Sequence, residues 1–257
     1  TYAIAQEAAF LGQAVVTGLD FAPDGSALFA ADWSGSWPKN EQGRVYRLSH
    51  PNHTASAEVS EARAFLTADR SRMDEDALLA GLRHGNRNVR WAAHTELARR
   101  ANGYDVLSGV ALDAAQPRLA RLSALWGMGI IARKGGAEPE AALALFSDSD
   151  TEVRAQAAAL VGDVGFKQAE SGLLALLEDS EPRVVFQAAM ALASLNSERA
   201  VAPALRKLSA WGEGDRFLRH AGIRILERGA TGDAPARLSG HGSADVRLAA
   251  AVALRRQ

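Results

Sequence analysis

One phrase returns along most of this chain. Asn88-Val-Arg-Trp-Ala-Ala93, Glu152-Val-Arg-Ala-Gln-Ala157, Arg183-Val-Val-Phe-Gln-Ala188 and Asp245-Val-Arg-Leu-Ala-Ala250 are versions of it, and looser copies begin at Ala120 and Phe217. With Val89, Ala120, Val153, Val184, Phe217 and Val246 as anchors, the spacings are 31, 33, 31, 33 and 29 residues. Four positions on, every copy has alanine: Ala93, Ala124, Ala157, Ala188, Ala221 and Ala250. Eight positions on, every copy is apolar: Leu97, Met128, Val161, Leu192, Ile225 and Leu254. Anchor, +4 and +8 share one helix face, so the pattern predicts a buried stripe with a one-methyl side chain at its centre. Such a residue lets a neighbouring helix approach closely.

A second apolar segment precedes each anchor, as in Leu78-Leu-Ala-Gly-Leu82, Ala141 to Phe146 and Leu173 to Leu177, and its sixth version around Ala234 to Leu238 is short. Polar breaks such as Ser147-Asp-Ser-Asp150 and Glu178-Asp-Ser-Glu-Pro182 separate the segments and offer capping oxygens. Each unit therefore reads as helix–turn–helix, and about six of them predict a mainly α chain, a right-handed α-solenoid over residues 73–257. Unit length and the D-x-x-V-R-type phrase resemble short HEAT repeats. The 47% hydrophobic content is thus inflated by alanine, whose recurrence at +4 belongs to repeat packing, and it does not signal one large core.

Residues 1–48 are written differently. Gly18-Leu-Asp-Phe-Ala-Pro-Asp-Gly25, Ala27-Leu-Phe-Ala-Ala-Asp-Trp33 and Gly43-Arg-Val-Tyr-Arg-Leu48 are short apolar runs bounded by turn residues. They predict a small antiparallel β-sheet with a tight turn at Pro23-Asp24-Gly25, where proline fixes φ and glycine accepts a positive one. One such sheet lacks a second layer. It is expected to lie against the first repeats and bury Phe21, Phe29, Trp33 or Trp37. Residues 49–72 read as a polar connector with a short helix over 59–66. Because the text opens at Thr1 as if in the middle of a fold, the chain is expected to be a piece of a longer protein.

The order of these β motifs, with Gly35-Ser-Trp37 between the last two, resembles the last β-propeller blade of the large membrane-bound dehydrogenases of planctomycetes and verrucomicrobia. Their pattern there runs approximately D-x-D-F-G-P-D-G-x-L-Y-V-S-D-W, then G-W, then G-x-G-R-I-Y-R-L. This chain departs at Gly18-Leu19, at Ala22 in place of glycine and at Ala31 in place of serine. The resemblance implies a sugar-dehydrogenase-like propeller, a HEAT-like array and a c-type cytochrome in the parent, with pyrroloquinoline quinone or haem c as electron carrier. It also implies a periplasmic or otherwise extracytoplasmic bacterial location, with the parent's propeller, its cytochrome or a redox partner as protein partner. No cofactor is assigned to this chain, whose lack of cysteine leaves no haem attachment or thiolate metal site.

Candidate sites are therefore of two kinds. Asp20, Asp32 and Arg44, with Trp33 and Trp37 beside them, have the types that line a propeller mouth, carboxylates for sugar hydroxyls or Ca²⁺ and indoles for stacking. They equally suit a role within the blade, with Asp24 serving the turn. Arg90, Arg121 and Arg154 follow the anchors, with Trp91 next to the first. They read either as a basic ladder facing a partner or as Asp–Arg contacts that fix the stacking of repeats. His50 and His53 stand three apart without a third metal ligand nearby. No G-x-S-x-G, H-E-x-x-H, G-x-G-x-x-G or P-loop occurs. Net charge −1 argues against a HEAT-like nucleic-acid binder, and no apolar stretch approaches the ~20 residues of a membrane span. The expected function is a non-catalytic protein-interaction scaffold. The alternative is part of a sugar or alcohol dehydrogenase whose site includes the 1–48 blade.

Overall fold

The computed structural model describes residues 15–33, 43–231 and 234–256. Chain contacts divide it into two compact units, one holding the residues up to 73 together with 84–92, the other 74–83 and everything from 93 onward.

The first unit contains a three-stranded antiparallel sheet in the order β1 (Val16–Phe21), β2 (Leu28–Trp33), β3 (Gly43–Leu48). Leu19 faces Ala30, which faces Tyr46, and Phe21 faces Leu28, which faces Leu48. The turn is built as its residues dictate: the Gly25 N–H donates to the Ala22 carbonyl at 2.8 Å, and Gly25 has φ +79°. Two helices follow, α1 (Pro51–Thr54) and α2 (Ala57–Thr67). They clamp the turn. Thr54 Oγ1 donates to the Ser26 carbonyl at 3.1 Å, His53 Nε2 bonds the Gly25 carbonyl at 3.1 Å, and Arg63 Nε pairs with Asp24 Oδ2 at 2.9 Å. The amides of Asn86 and Asn88 both donate to the Pro23 carbonyl, at 3.0 and 2.9 Å.

This arrangement corrects one expectation. Phe21 is 67% exposed and Phe29 and Trp33 are also exposed, while the strand residues that are buried are Ala30 and Asp32. The physical reason is where the covering elements attach: helices and asparagine amides grip the β1–β2 turn and leave the strands' large side chains open. An open hollow of about 370 Å³ lies beside Phe21, Leu28 and Leu48. Trp37 lies outside the described residues.

Helices then come in pairs: α3 (Glu75–Arg83) and α4 (Arg87–Leu97), α5 (Gly103–Leu112) and α6 (Arg118–Arg133), α7 (Ala141–Ala144) and α8 (Thr151–Asp163). The remaining pairs are α9 (Glu170–Leu176) and α10 (Pro182–Ser194), α11 (Val201–Gly214) and α12 (Arg216–Gly229), α13 (Ala234–Arg237) and α14 (Ala244–Arg256). Six pairs make a mainly α repeat architecture, with the α4 residues split between the two units. From α6 onward each second helix packs on the next: α6 on α8, α8 on α10, α10 on α12, α12 on α14. Asp150 caps α8 by accepting from the N–H groups of Glu152 and Val153, at 2.9 and 3.2 Å, and Asp215 caps α12 in the same way.

The alanine stripe is buried throughout. All six +4 alanines have no exposed surface, and five of the six +8 residues match them. Close approach is visible at Gly162, where an added Cβ would lie 2.5 Å from that of Ala191 on the facing helix. Two positions depart from the expected stripe. Phe217 is 58% exposed and Leu254 is 42% exposed. The site filled by valine or alanine in the other copies does not admit a phenyl ring. Leu218 turns inward in place of Phe217, whose ring packs edge-on against Phe186 at 6.4 Å between centroids.

Enlarging the stripe should therefore be costly. Ala188→Leu is expected to lower unfolding free energy by roughly 1–3 kcal/mol, as overpacking does, and Leu254→Ala by less than about 1 kcal/mol. Urea unfolding of the two variants checks the difference.

Candidate functional site

The arginine after the anchor has a repeated geometry. Arg90 Nη1 donates to the carbonyls of His84 and Gly85 at 2.8 and 2.6 Å. Arg154 Nη1 reaches those of Asp148 and Ser149 at 2.8 and 3.4 Å, and Arg247 Nη1 those of His241 and Gly242 at 2.7 and 2.9 Å. In each case the acceptors are the sixth and fifth residues before the arginine. The guanidinium thus closes the turn between the two helices of its own pair, taking up carbonyls that would otherwise be unpaired.

Two anchor-following arginines, Arg121 and Arg154, reach forward to the next turn. Arg121 donates from Nε to the Ala111 carbonyl at 2.9 Å and makes a two-pronged contact with the Asp148 carboxylate in the next turn. Arg154 makes the same contact with Asp179, Nε to Oδ2 at 2.9 Å and Nη2 to Oδ1 at 3.1 Å. Each aspartate holds its own turn as well: Asp148 accepts from the Asp150 N–H and Asp179 from the Glu181 N–H, both at 2.9 Å. Bidentate pairing of this kind adds geometric specificity to charge. The Arg121 hydrogen bonds hold the Asp148 carboxyl below its usual range despite burial. Burial pushes the Asp179 carboxyl up, and its bonds from Arg154 and Glu181 outweigh that and leave it lowered too.

Asp148 and Asp179 stand five residues before their anchors, and His84 and His241 occupy that position in the first and last pairs. Both imidazoles accept from the N–H two residues on through Nδ1, at 2.9 and 3.1 Å, so histidine serves the turn where no arginine arrives from a preceding pair. An Asp or His at this offset is the sequence signal that marks these residues.

Of the expected surface residues, Arg90 and Arg121 are buried, the Arg154 side chain is nearly so, and Trp91 is exposed. Three guanidiniums and one indole therefore do not form a common surface. Their first role is in the turns.

Around the blade motif, Asp32 is buried and its Oδ1 accepts from the Val15 N–H at 2.8 Å. The Tyr46 hydroxyl donates to Asp32 Oδ2 at 3.4 Å and accepts from Arg44 Nη1 at 3.4 Å, which joins cross-strand neighbours within the sheet. Asp20 is exposed and accepts from its neighbour, the Phe21 N–H. Asp24 holds the turn through the Ser26 N–H at 2.9 Å, and the Ser26 side chain first, then that N–H, hold its carboxyl below the usual range. The structure thus links Asp32 and Arg44 and leaves Asp20 apart from them. Among the described residues no group of three or more His, Asp or Glu is placed to hold a metal ion, and no helix is long and apolar enough to cross a membrane.

Paired helices, a buried small-residue stripe and arginine-closed turns define a helical-repeat protein of the solenoid class. Residues 138–227, the third to fifth pairs, match the family model described as HEAT repeats. No curated protein matches the sequence. Among solved structures, an engineered protein is 18% identical, with TM-score 0.46, covering 72% of this chain and 96% of its own. A designed armadillo repeat protein in complex with the peptide (KR)4 is 16% identical, with TM-score 0.47, covering 72% and 99%. The complex of CpcE and CpcF of phycocyanin lyase from Nostoc sp. PCC7120 gives 15%, 0.48, 71% and 76%.

The buried pairs set a pH dependence. Asp148 and Asp179 titrate lower in the folded chain than in the unfolded one, where aspartate titrates near 3.9. Their stabilisation is present above about pH 4 and is lost as pH falls through the folded values. Asp148→Asn is expected to cost about 3–5 kcal/mol at pH 7, since it strands the buried Arg121, and to flatten the loss of stability below pH 4. Arg118→Ala, which removes a 3.8 Å pair with Asp150 at an exposed arginine, should cost at most about 1 kcal/mol. Urea midpoints between pH 3 and pH 7, read for both variants, check this.

Proposed function

We propose that this chain is a non-catalytic protein-interaction module of a larger dehydrogenase-like protein, joined through its sheet to further β-structure. The observation that carries the reading is the uncovered sheet. Val45, 71% exposed, stands open with Phe29 and Trp33 on one face of it, and Phe21, 67% exposed, stands open with Leu19 on the other. β1 and β3 are the edges of this sheet among the described residues. Apolar side chains left open on both faces, next to strand edges, mark a sheet that further structure covers. Resemblance of the β motifs to the last blade of a sugar-dehydrogenase-like propeller supplies the partner's identity: the parent's propeller, outside the cytoplasm, with a c-type cytochrome or another redox protein served by the same scaffold. Pyrroloquinoline quinone or haem c would belong to those parts. Asp32 and Arg44 then hold the blade together, which accords with their bonding inside the sheet.

The test is co-purification of the chain with the propeller segment of its parent. Binding is expected, with at least a tenfold loss on the double substitution Phe21→Ser, Val45→Ser. Binding that ignores the double substitution, or no binding, removes the reading. Dye-linked oxidation of a sugar by this chain alone would replace it with an enzymatic one.

A further inference from the structure

The outward stripe of the second helices carries a track of aromatic and basic side chains. It holds Trp126 and Arg133 on α6, Glu152 and Gln156 on α8, Arg183 and Phe186 on α10, and Arg216 and Phe217 on α12. These helices stack in that order. Trp126 is 47% exposed, yet its ring is held in place. The indole Nε1–H donates to Gln156 Oε1 at 3.1 Å, Gln156 Nε2 donates to Glu152 Oε1 at 2.9 Å, and Arg183 grips both Glu152 oxygens at 2.5 and 2.7 Å. His94 meets the ring edge-on, 6.3 Å between centroids. A half-exposed indole ordered in advance has already lost the rotamer freedom that binding would remove, and tryptophan is a common interface anchor.

Beside it, between α6 and α8, lies a hollow of about 210 Å³ floored by Gly129 and Ala159 and rimmed by Arg133 and Asp163. A Cβ at Gly129 would come 2.8 Å from Leu160 Cδ1, so glycine keeps the floor low. The size suits one apolar side chain.

Charge along the track is layered. Arg133 and Arg216 are exposed, and the Arg183 side chain is 53% exposed, whereas the Glu152 beneath it is 28% exposed and already engaged. Hydrogen bonds from Arg183 hold the Glu152 carboxyl below its usual range, so it stays ionised as their partner. Arg216 lies over the Phe217 ring, 4.9 Å from its centroid. Asp163 is the outward acid at one end. A ligand meets exposed arginines, one of them over an aromatic ring.

We propose that this track binds an extended acidic polypeptide segment, with one apolar side chain in the Trp126 hollow and carboxylates on Arg133, Arg183 and Arg216. Packed helices lie 8–10 Å apart and an extended chain rises about 3.3 Å per residue. The segment therefore advances roughly three residues per helix and needs about nine or ten to run from α6 to α12. The inference rests on the chain being an interaction module. It does not depend on what covers the sheet.

Fluorescence anisotropy of a labelled ten-residue peptide alternating Glu and Leu, against the same peptide with Lys for Glu, tests the proposal on the full chain. The acidic peptide is expected to bind and to weaken at least tenfold between 0.05 and 0.5 M salt. Trp126→Ala and the exposed-site change Arg133→Glu should each weaken it tenfold or more, while Trp91→Ala leaves it unchanged. Retention of peptide binding in the sheet variant Phe21→Ser, Val45→Ser separates this surface from the sheet surface. Preference for the Lys peptide, no binding, or indifference to Arg133→Glu overturns the proposal.

Discussion

Everything in the helical array depends on how closely consecutive second helices can approach. Six alanines at one offset, all without exposed surface, set that distance. Gly162 opposite Ala191 shows how little room remains, since even one methyl there would collide. A stripe of this kind contributes less hydrophobic area per residue than leucine would. It compensates by letting backbone and Cβ atoms of neighbouring helices touch, where many small dispersion contacts add up. The larger residues that fill the remaining volume, such as Leu173, Leu177, Leu192 and Ile225, can then reach full burial around it.

Close stacking creates a second requirement, because each turn between paired helices brings backbone carbonyls next to a neighbouring pair. The anchor-following arginine meets it. Its guanidinium carries enough donors to take two carbonyls of its own turn and still hold an aspartate of the next. Arg154 does all of this at once, bonding Asp148 and Ser149 behind it and Asp179 ahead. Lysine, a point charge without a planar fork, could not divide itself in that way. The chain has 29 Lys and Arg together and, by reading the sequence, only four of them are lysine. Four of the arginines, Arg90, Arg121, Arg154 and Arg247, have this structural use.

Much of this architecture was legible in the sequence because helix periodicity converts directly into burial. Anchors, +4 alanines and pair boundaries follow from spacing alone. Phe217 was not legible, because its offset says apolar while its volume says otherwise, and only the packed neighbours decide between them. The grip of Arg90, Arg154 and Arg247 on carbonyls was hidden for a different reason, since backbone acceptors leave no mark in side-chain identity. The aspartate that answers Arg121 or Arg154 sits 27 or 25 residues away, in the next repeat, so its role emerges only once the stacking register is fixed. In the sheet, alternation was readable and coverage was not. A strand's two faces are defined by its own residues, but what lies over them is decided by other segments.

The net charge of −1 therefore hides two separate uses of arginine. Those after the anchors are turned into the turns and bonded by carbonyls, and Arg121 and Arg154 are paired with aspartates as well, so that loss of Asp148 strands Arg121 as a buried ion. Those one residue before the anchor, Arg183 and Arg216, stand outward on α10 and α12, where Val185 and Leu218 follow the anchor, and lie over Glu152 and over the Phe217 ring. The two positions, one after and one before the anchor, are two residues apart and so point about 200° from one another around a helix, which separates a stacking clamp from a partner-facing charge. The two sets can thus vary independently. Substitutions in the first change whether the pairs stack, and substitutions in the second change what the stacked surface attracts, with Arg183 also tying α10 to Glu152 on α8.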